Sequence, residues 1–191
     1  MFLNASSSLE GQPCLALLLL VWWLFTSLGA ATPVSAQEAS ASQVKAAFLY
    51  NFAKFVEWPP GAFATNSAVI TLGILEREPL AAAVEALQGK EVQGRKLVVK
   101  RCRHVEELKK CQIFFASAAE NPGLVGIMAA LKGLPVLTVT DELDDFARLG
   151  GIINLTRLED KIRFHIDVHN AERCGLKISS QLLKLALRTG K

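Results

Sequence analysis

Four carboxylates, Asp141, Glu142, Asp144 and Asp145, directly follow an apolar run at 134–140. Oxygen ligands of this kind hold Mg²⁺ beyond the carboxyl ends of parallel strands, where open α/β sheets place their sites. The same residues also suit the first turn of a helix, whose dipole favours negative charge, and that is the preferred reading. His165, Asp167 and His169 form the next candidate. On a strand, His165 and Asp167 share one face about 6.6 Å apart. A zinc site there would need Cys174 or His104 as a further ligand, and the spacing fits no common pattern. A solvated polar face is the preferred reading. Ser179-Ser180 lacks the Gly-x-Ser-x-Gly elbow of a nucleophilic serine, and Ser179 reads as the cap of the last helix. Gly123 and Gly126 lack the third glycine and the preceding strand of a dinucleotide site. The expectation is a protein without catalytic residues, metal or cofactor.

Residues 15–30 read LALLLLVWWLFTSLGA, sixteen residues without a charge. That is the length of a signal-peptide core and short for a membrane span. The small-x-small site Val34-Ser35-Ala36 places cleavage before Gln37. The segment before the core carries Glu10 and no Lys or Arg, which is atypical of an export signal. The expected organisation is a signal peptide at 1–36, a loose mature terminus at 37–43 and one domain at 44–191, located in the periplasm. The 155 residues beyond the leader suffice for a proper core. They carry 21 basic against 17 acidic residues, a net +4. So mild a balance argues against nucleic acid. The basic run Arg95, Lys96, Lys100, Arg101, Arg103, Lys109 and Lys110 reads as a solvated edge, with an acidic partner or anionic headgroups as the alternative.

Cys102 ends one apolar run and Cys111 opens the next, with eight residues between them. An oxidising compartment favours a Cys102–Cys111 disulfide, stabilising by about 2–3 kcal/mol on the chain-entropy account. The alternative is two buried thiols. Cys174 is left over and reads as a small buried side chain.

These features have to be positioned by the surrounding elements. A helix over 43–58 shows Gln43, Asn51, Lys54 and Glu57 on one face, with phenylalanines and leucine around the rest. Pro59-Pro60 ends it, leaving Trp58 at a helix end where an aromatic can anchor an interface. Apolar runs at 68–75, 96–100, 112–116 and 134–140 read as strands, and helices are expected at 78–87, 105–110, 121–132 and 142–149. Strands at 152–155 and 161–168 form a hairpin turning at Glu159-Asp160. Short helices follow at 170–174 and 179–188, with Leu182, Leu185 and Ala186 inward. The fold class is α/β: a three-layer α/β/α domain, its mostly parallel central sheet ending in an antiparallel hairpin and a terminal helix.

Two blocks carry a resemblance. The first is Tyr50-Asn51-Phe52-x-x-Phe55-x-x-Trp58-Pro59. The second runs from Gly150-Gly151-Ile152-Ile153-Asn154 through Phe164-His165-Ile166-Asp167 to Leu176-Lys177-Ile178-Ser179-Ser180-x-Leu182-Leu183. Together they resemble the YfiR family. Where its members commonly read Phe-Glu-Ile-Asn, this chain has His165 and Asp167. The resemblance implies an exported non-enzymatic regulator that binds the periplasmic part of an inner-membrane diguanylate cyclase and lowers cyclic-di-GMP. It also implies a homodimer, with release by an outer-membrane lipoprotein or by redox damage. Trp58, Arg163, His165, Asp167 and Arg173 are the candidate interface or ligand positions. A periplasmic small-molecule sensor, with a pocket near the hairpin and the first helix, is the alternative.

Overall fold

The computed structural model describes residues 34–63, 69–118 and 122–187, with side chains from Ala41 onward. The apolar core of the expected leader lies outside the described residues. Ala36–Lys191 forms one compact unit. Helix α1 spans Val34–Phe55. It begins well before Gln43, the expected start, so the terminus expected to be loose at 37–43 is helical. Ala36, Gln37, Glu38, Ala39 and Ala41 are good helix formers and supply the reason.

α1 also stops three residues short of Trp58. The turn residue Gln93 donates its side-chain amide to the carbonyls of Ala53 (3.0 Å), Lys54 (3.2 Å) and Val56 (2.8 Å). The Ser179 amide takes the Phe55 carbonyl at 2.9 Å. With the last carbonyls taken, Val56–Glu57 is free to form strand β1, antiparallel to β9 (Lys177–Ile178).

The main sheet contains β2 (Val69–Leu75), β3 (Glu91–Val92), β4 (Arg95–Cys102), β5 (Ile113–Ser117), β6 (Leu137–Asp141), β7 (Ile153–Leu158) and β8 (Lys161–Ile166), ordered β3-β4-β2-β5-β6-β7-β8. The five strands from β4 to β7 are parallel, and the two outer pairs are antiparallel. The chain lays β4 on one side of β2 and β5 on the other, so the sheet is doubly wound, with its switch point between β2 and β5. The expected mostly parallel α/β/α sheet with a C-terminal hairpin is therefore observed. Glu159 and Asp160, with φ of 48° and 59°, make the expected hairpin turn.

β5 shows why its sequence is apolar from Ile113 to Ala116. Ile113 and Phe115 enter the larger core, under α1 and α2 (Ala81–Glu85), while Phe114 and Ala116 enter the smaller one. That second core is closed by α3 (Val105–Leu108) and α4 (Leu124–Leu131). A strand covered on both faces has no polar side to show. Phe48 and Phe52 of α1 meet Phe164 of β8 at ring separations of 5.4 and 5.1 Å, edge to face.

The helix expected at 142–149 is a run of turns instead. Asn154 explains this: its Oδ1 accepts the Leu143 amide (3.2 Å) and its Nδ2 donates to the Leu143 carbonyl (3.1 Å). Those groups are thereby withdrawn from any helix, and Glu142 and Asp145 take φ of 54° and 53°. Gly151 fits where a Cβ would lie 2.9 Å from the Phe146 carbonyl oxygen. Helices α5 (Val168–Arg173) and α6 (Ser180–Leu185) complete the chain. Leu182 is buried as expected, whereas Leu185, expected inward, is 67% exposed. The helix ends there because Ala186 is extended and sends Leu187 to bridge the edge of β8.

Candidate functional site

In a doubly wound sheet, ligands enter the crevice at the switch point beyond the carboxyl ends of the strands. Here the chain fills that place itself. Buried Glu78 accepts the Ser117 amide (3.0 Å) and the Ser117 hydroxyl (2.6 Å). One strand further on, Asp141 Oδ2 pairs with Lys45 Nζ of α1 at 2.5 Å. Burial pushes the Asp141 carboxyl above the ordinary aspartate range, although the Lys45 ammonium pulls the other way. Its second oxygen, Oδ1, has no hydrogen-bond partner among the described residues.

The remaining acidic residues of that run are used locally. Glu142 accepts the Arg157 amide at 2.8 Å, and Asp145 pairs with Arg148 at 3.1 Å. Among the described residues, no group of three His, Cys, Asp or Glu side chains is arranged to hold a metal ion.

The sequence candidates separate. Trp58 is half-buried; its Nε1 donates to the Gln112 carbonyl (3.0 Å) and its ring meets Phe63 edge to face. Asp167 caps α5, accepting the Asn170 amide at 2.7 Å. Arg173 donates to Asn170 Oδ1. Buried Asn170 in turn donates at 2.8 Å to the carbonyls of Ala147 and Gly151, holding the turns before β7. His165 stands over Phe146, and its Nδ1 is buried without a partner. Four of the five candidates are therefore tied into the fold at three separate places. The spacing Asp167-x-x-Asn170 at a helix start was the sequence signal for the cap.

The expected Cys102–Cys111 disulfide is not formed; both residues are buried thiols of the smaller core. Cys102 Sγ donates to the Lys100 carbonyl (3.7 Å) and Cys111 Sγ to the Glu107 carbonyl (3.4 Å), and the influence of each thiol on the other lowers Cys102 and raises Cys111. Burial raises the Cys174 thiol as well. The basic run on β4 is largely neutralised by Arg101–Glu85, Arg103–Glu76, Lys100–Glu107 and Lys109–Glu106 ion pairs.

What the structure does assemble lies on either side of α1. A groove of about 600 Å³ separates α1 from α2, floored largely by alanines and flanked by Tyr50 and Lys90. A second groove of about 390 Å³ separates α1 from the tip of the β7–β8 hairpin. Val44 and Phe48 form its helical wall, and Ile162, Arg157, Lys161 and Arg163 form the other. Arg163 is the one sequence candidate that lines it. Arg157 and Lys161 escaped the sequence reading, although three cations within seven residues flank a predicted turn. The arrangement joins apolar side chains to a cluster of cations and can bind.

Geometry thus defines a doubly wound α/β domain whose usual ligand crevice is filled and whose open surface flanks its first helix. The family model for YfiR/HmsC-like proteins matches residues 42–187, spanning α1 to α6, and the chain belongs to this regulatory family. No curated protein matches the chain in a sequence search.

Proposed function

We propose that the protein is a non-enzymatic periplasmic regulator that binds the extracytoplasmic part of an inner-membrane diguanylate cyclase and represses it, lowering cyclic-di-GMP. The observation that carries this reading is the YfiR/HmsC-like match over the whole folded unit. The filled switch-point crevice agrees with it, since a regulator needs a surface and not a reaction centre. Export gives the leader-like segment at 15–30 its purpose. It also brings the Cys102 and Cys111 thiols into an oxidising compartment, whose oxidants would take up two electrons and close a disulfide between them. The proposed assembly is a homodimer, with an outer-membrane lipoprotein as a releasing partner.

The test is capture of solubilised host membranes by residues 37–191, with a cyclic-di-GMP assay on the retained fraction. Retention of a diguanylate cyclase whose activity falls as the domain is added is the expected result. Retention of no cyclase refutes the reading. A second reading, small-molecule sensing, is favoured by the 600 Å³ groove, which lies in the size range of ligand sites. A ligand that co-purifies and raises Tm would favour it.

A further inference from the structure

The hairpin tip combines three features that have no use inside the fold. The first is charge. Among the described residues, Arg157, Lys161 and Arg163 are exposed and make no ion pair, whereas Lys100, Arg101 and Arg103 do. Asp160 is the only carboxylate lining the same groove. The second is apolar surface: Val44 is 41% exposed beside Phe48 and half-buried Ile162.

The third is an open backbone edge. The Leu187 amide bonds the Phe164 carbonyl at 2.8 Å, so Phe164 turns its backbone groups away from β7. Antiparallel ladders alternate, so Ile162, two residues earlier, does the same. Among the described residues, the C-terminal segment bridges β8 at His165 alone, and no strand pairs with the outer edge at Ile162.

Unpaired edges are templates for a further strand, and cations on the edge exclude all but an acidic one. We propose that an extended acidic segment of a partner protein adds to the outer edge of β8 at Ile162, its apolar side chains against Val44 and Phe48 and its carboxylates on Arg157, Lys161 and Arg163. This rests on the reading of the chain as a regulator that grips a membrane protein, and it assigns the grip to one place. An anionic membrane surface would satisfy the charges but has no use for the Ile162 amide and carbonyl, so the protein strand is favoured.

The experiment uses the full chain and a fluorescein-labelled octapeptide of alternating valine and glutamate, followed by anisotropy. Two variants isolate the two features. Lys161→Glu with Arg163→Glu reverses charge at exposed positions. Ile162→Pro removes an amide that faces away from β7, so the β7 ladder is kept. Melting curves and circular dichroism verify that both fold.

The wild-type protein should bind the peptide, weakening steeply with added salt, and each variant should lose at least tenfold. Equal binding by wild type and Ile162→Pro would overturn strand addition. Absence of peptide binding, together with charge-dependent binding to phosphatidylglycerol vesicles, would overturn the protein partner. In the membrane-capture assay, cyclase retained equally by all three proteins would overturn this assignment and leave the proposed function standing. Peptide binding lost in both variants, with no cyclase captured by any of them, would support the groove and refute the function.

Discussion

Replacing Lys45 by methionine tests how the first helix is held over the sheet. Lys45 Nζ and Asp141 Oδ2 stand 2.5 Å apart, with side chains only 12% and 5% exposed. At an effective dielectric constant of about 20, charges that close attract by about 7 kcal/mol. Withdrawing both from water offsets that by several kcal/mol per ion, so the pair as a whole adds little. Lys45→Met keeps the bulk of the side chain but leaves a buried carboxylate with neither oxygen partnered, since Oδ1 has none in the parent. The expected loss at pH 7 is about 3–5 kcal/mol. Replacing Asp141 by leucine in the same background should recover most of it.

The sign with pH follows from burial. The folded state holds the Asp141 proton more tightly than the unfolded chain. Asp141 therefore contributes most below the ordinary aspartate range, and that contribution is lost as pH rises through the raised folded value. Removing Lys45 raises that value further, so the loss in Lys45→Met should shrink as pH falls toward 4. Urea unfolding at pH 7 and pH 4, followed by circular dichroism with the denaturant slope checked for constancy, measures both. A Lys45→Met protein within about 0.5 kcal/mol of the parent at pH 7 would refute the reasoning, because such a loss is ordinary for an exposed lysine.

Three further outcomes are expected. Gly73→Ala places a Cβ 2.8 Å from Cys111 Sγ and 3.0 Å from Leu108 Cδ2, so overpacking should cost about 1–3 kcal/mol in urea unfolding. Adding Cys111→Ala should restore part of that, and a neutral Gly73→Ala would refute the packing. Asn170→Ala strips the Ala147 and Gly151 carbonyls of their donor and should lower Tm, at about 2–4 °C for each kcal/mol lost. Thiol titration of unfolded residues 37–191 without reductant should find Cys102, Cys111 and Cys174 all reactive in protein made under reducing conditions. Exported protein should show Cys174 alone; all three reactive there would show that export does not close the bond.

Buried parallel strands were legible because two covered faces favour continuous apolar residues, as at Ile113–Ala116 of β5. The β7–β8 hairpin was legible because Phe164 and Ile166 alternate with polar neighbours on either side of the Glu159-Asp160 turn. β1, β3 and β9 were not, since two residues hold no period; their existence depends on Gln93 and Ser179 reaching α1 from distant sequence. The 142–149 region has helical composition, and the remote side chains of Asn154 and Asn170 hold it as turns. The candidate site was legible only at Arg163. The spacing Asp167-x-x-Asn170 carries a cap signal, but nothing local shows that Arg173 holds Asn170. The groove itself is a relation between α1 and a hairpin more than a hundred residues later.

The β1–β9 ribbon has a consequence for how the molecule comes into being. Val56–Glu57 waits for Lys177–Ile178, and Phe48 and Phe52 wait for Phe164. Helix α1, the earliest among the described residues, thus gains its full cover only when these late segments have been made. Such long-range closure slows folding and keeps an incomplete polypeptide extended and threadable. A chain cut before Lys177 would accordingly be removed by proteases instead of surviving as a smaller, weaker version of the protein.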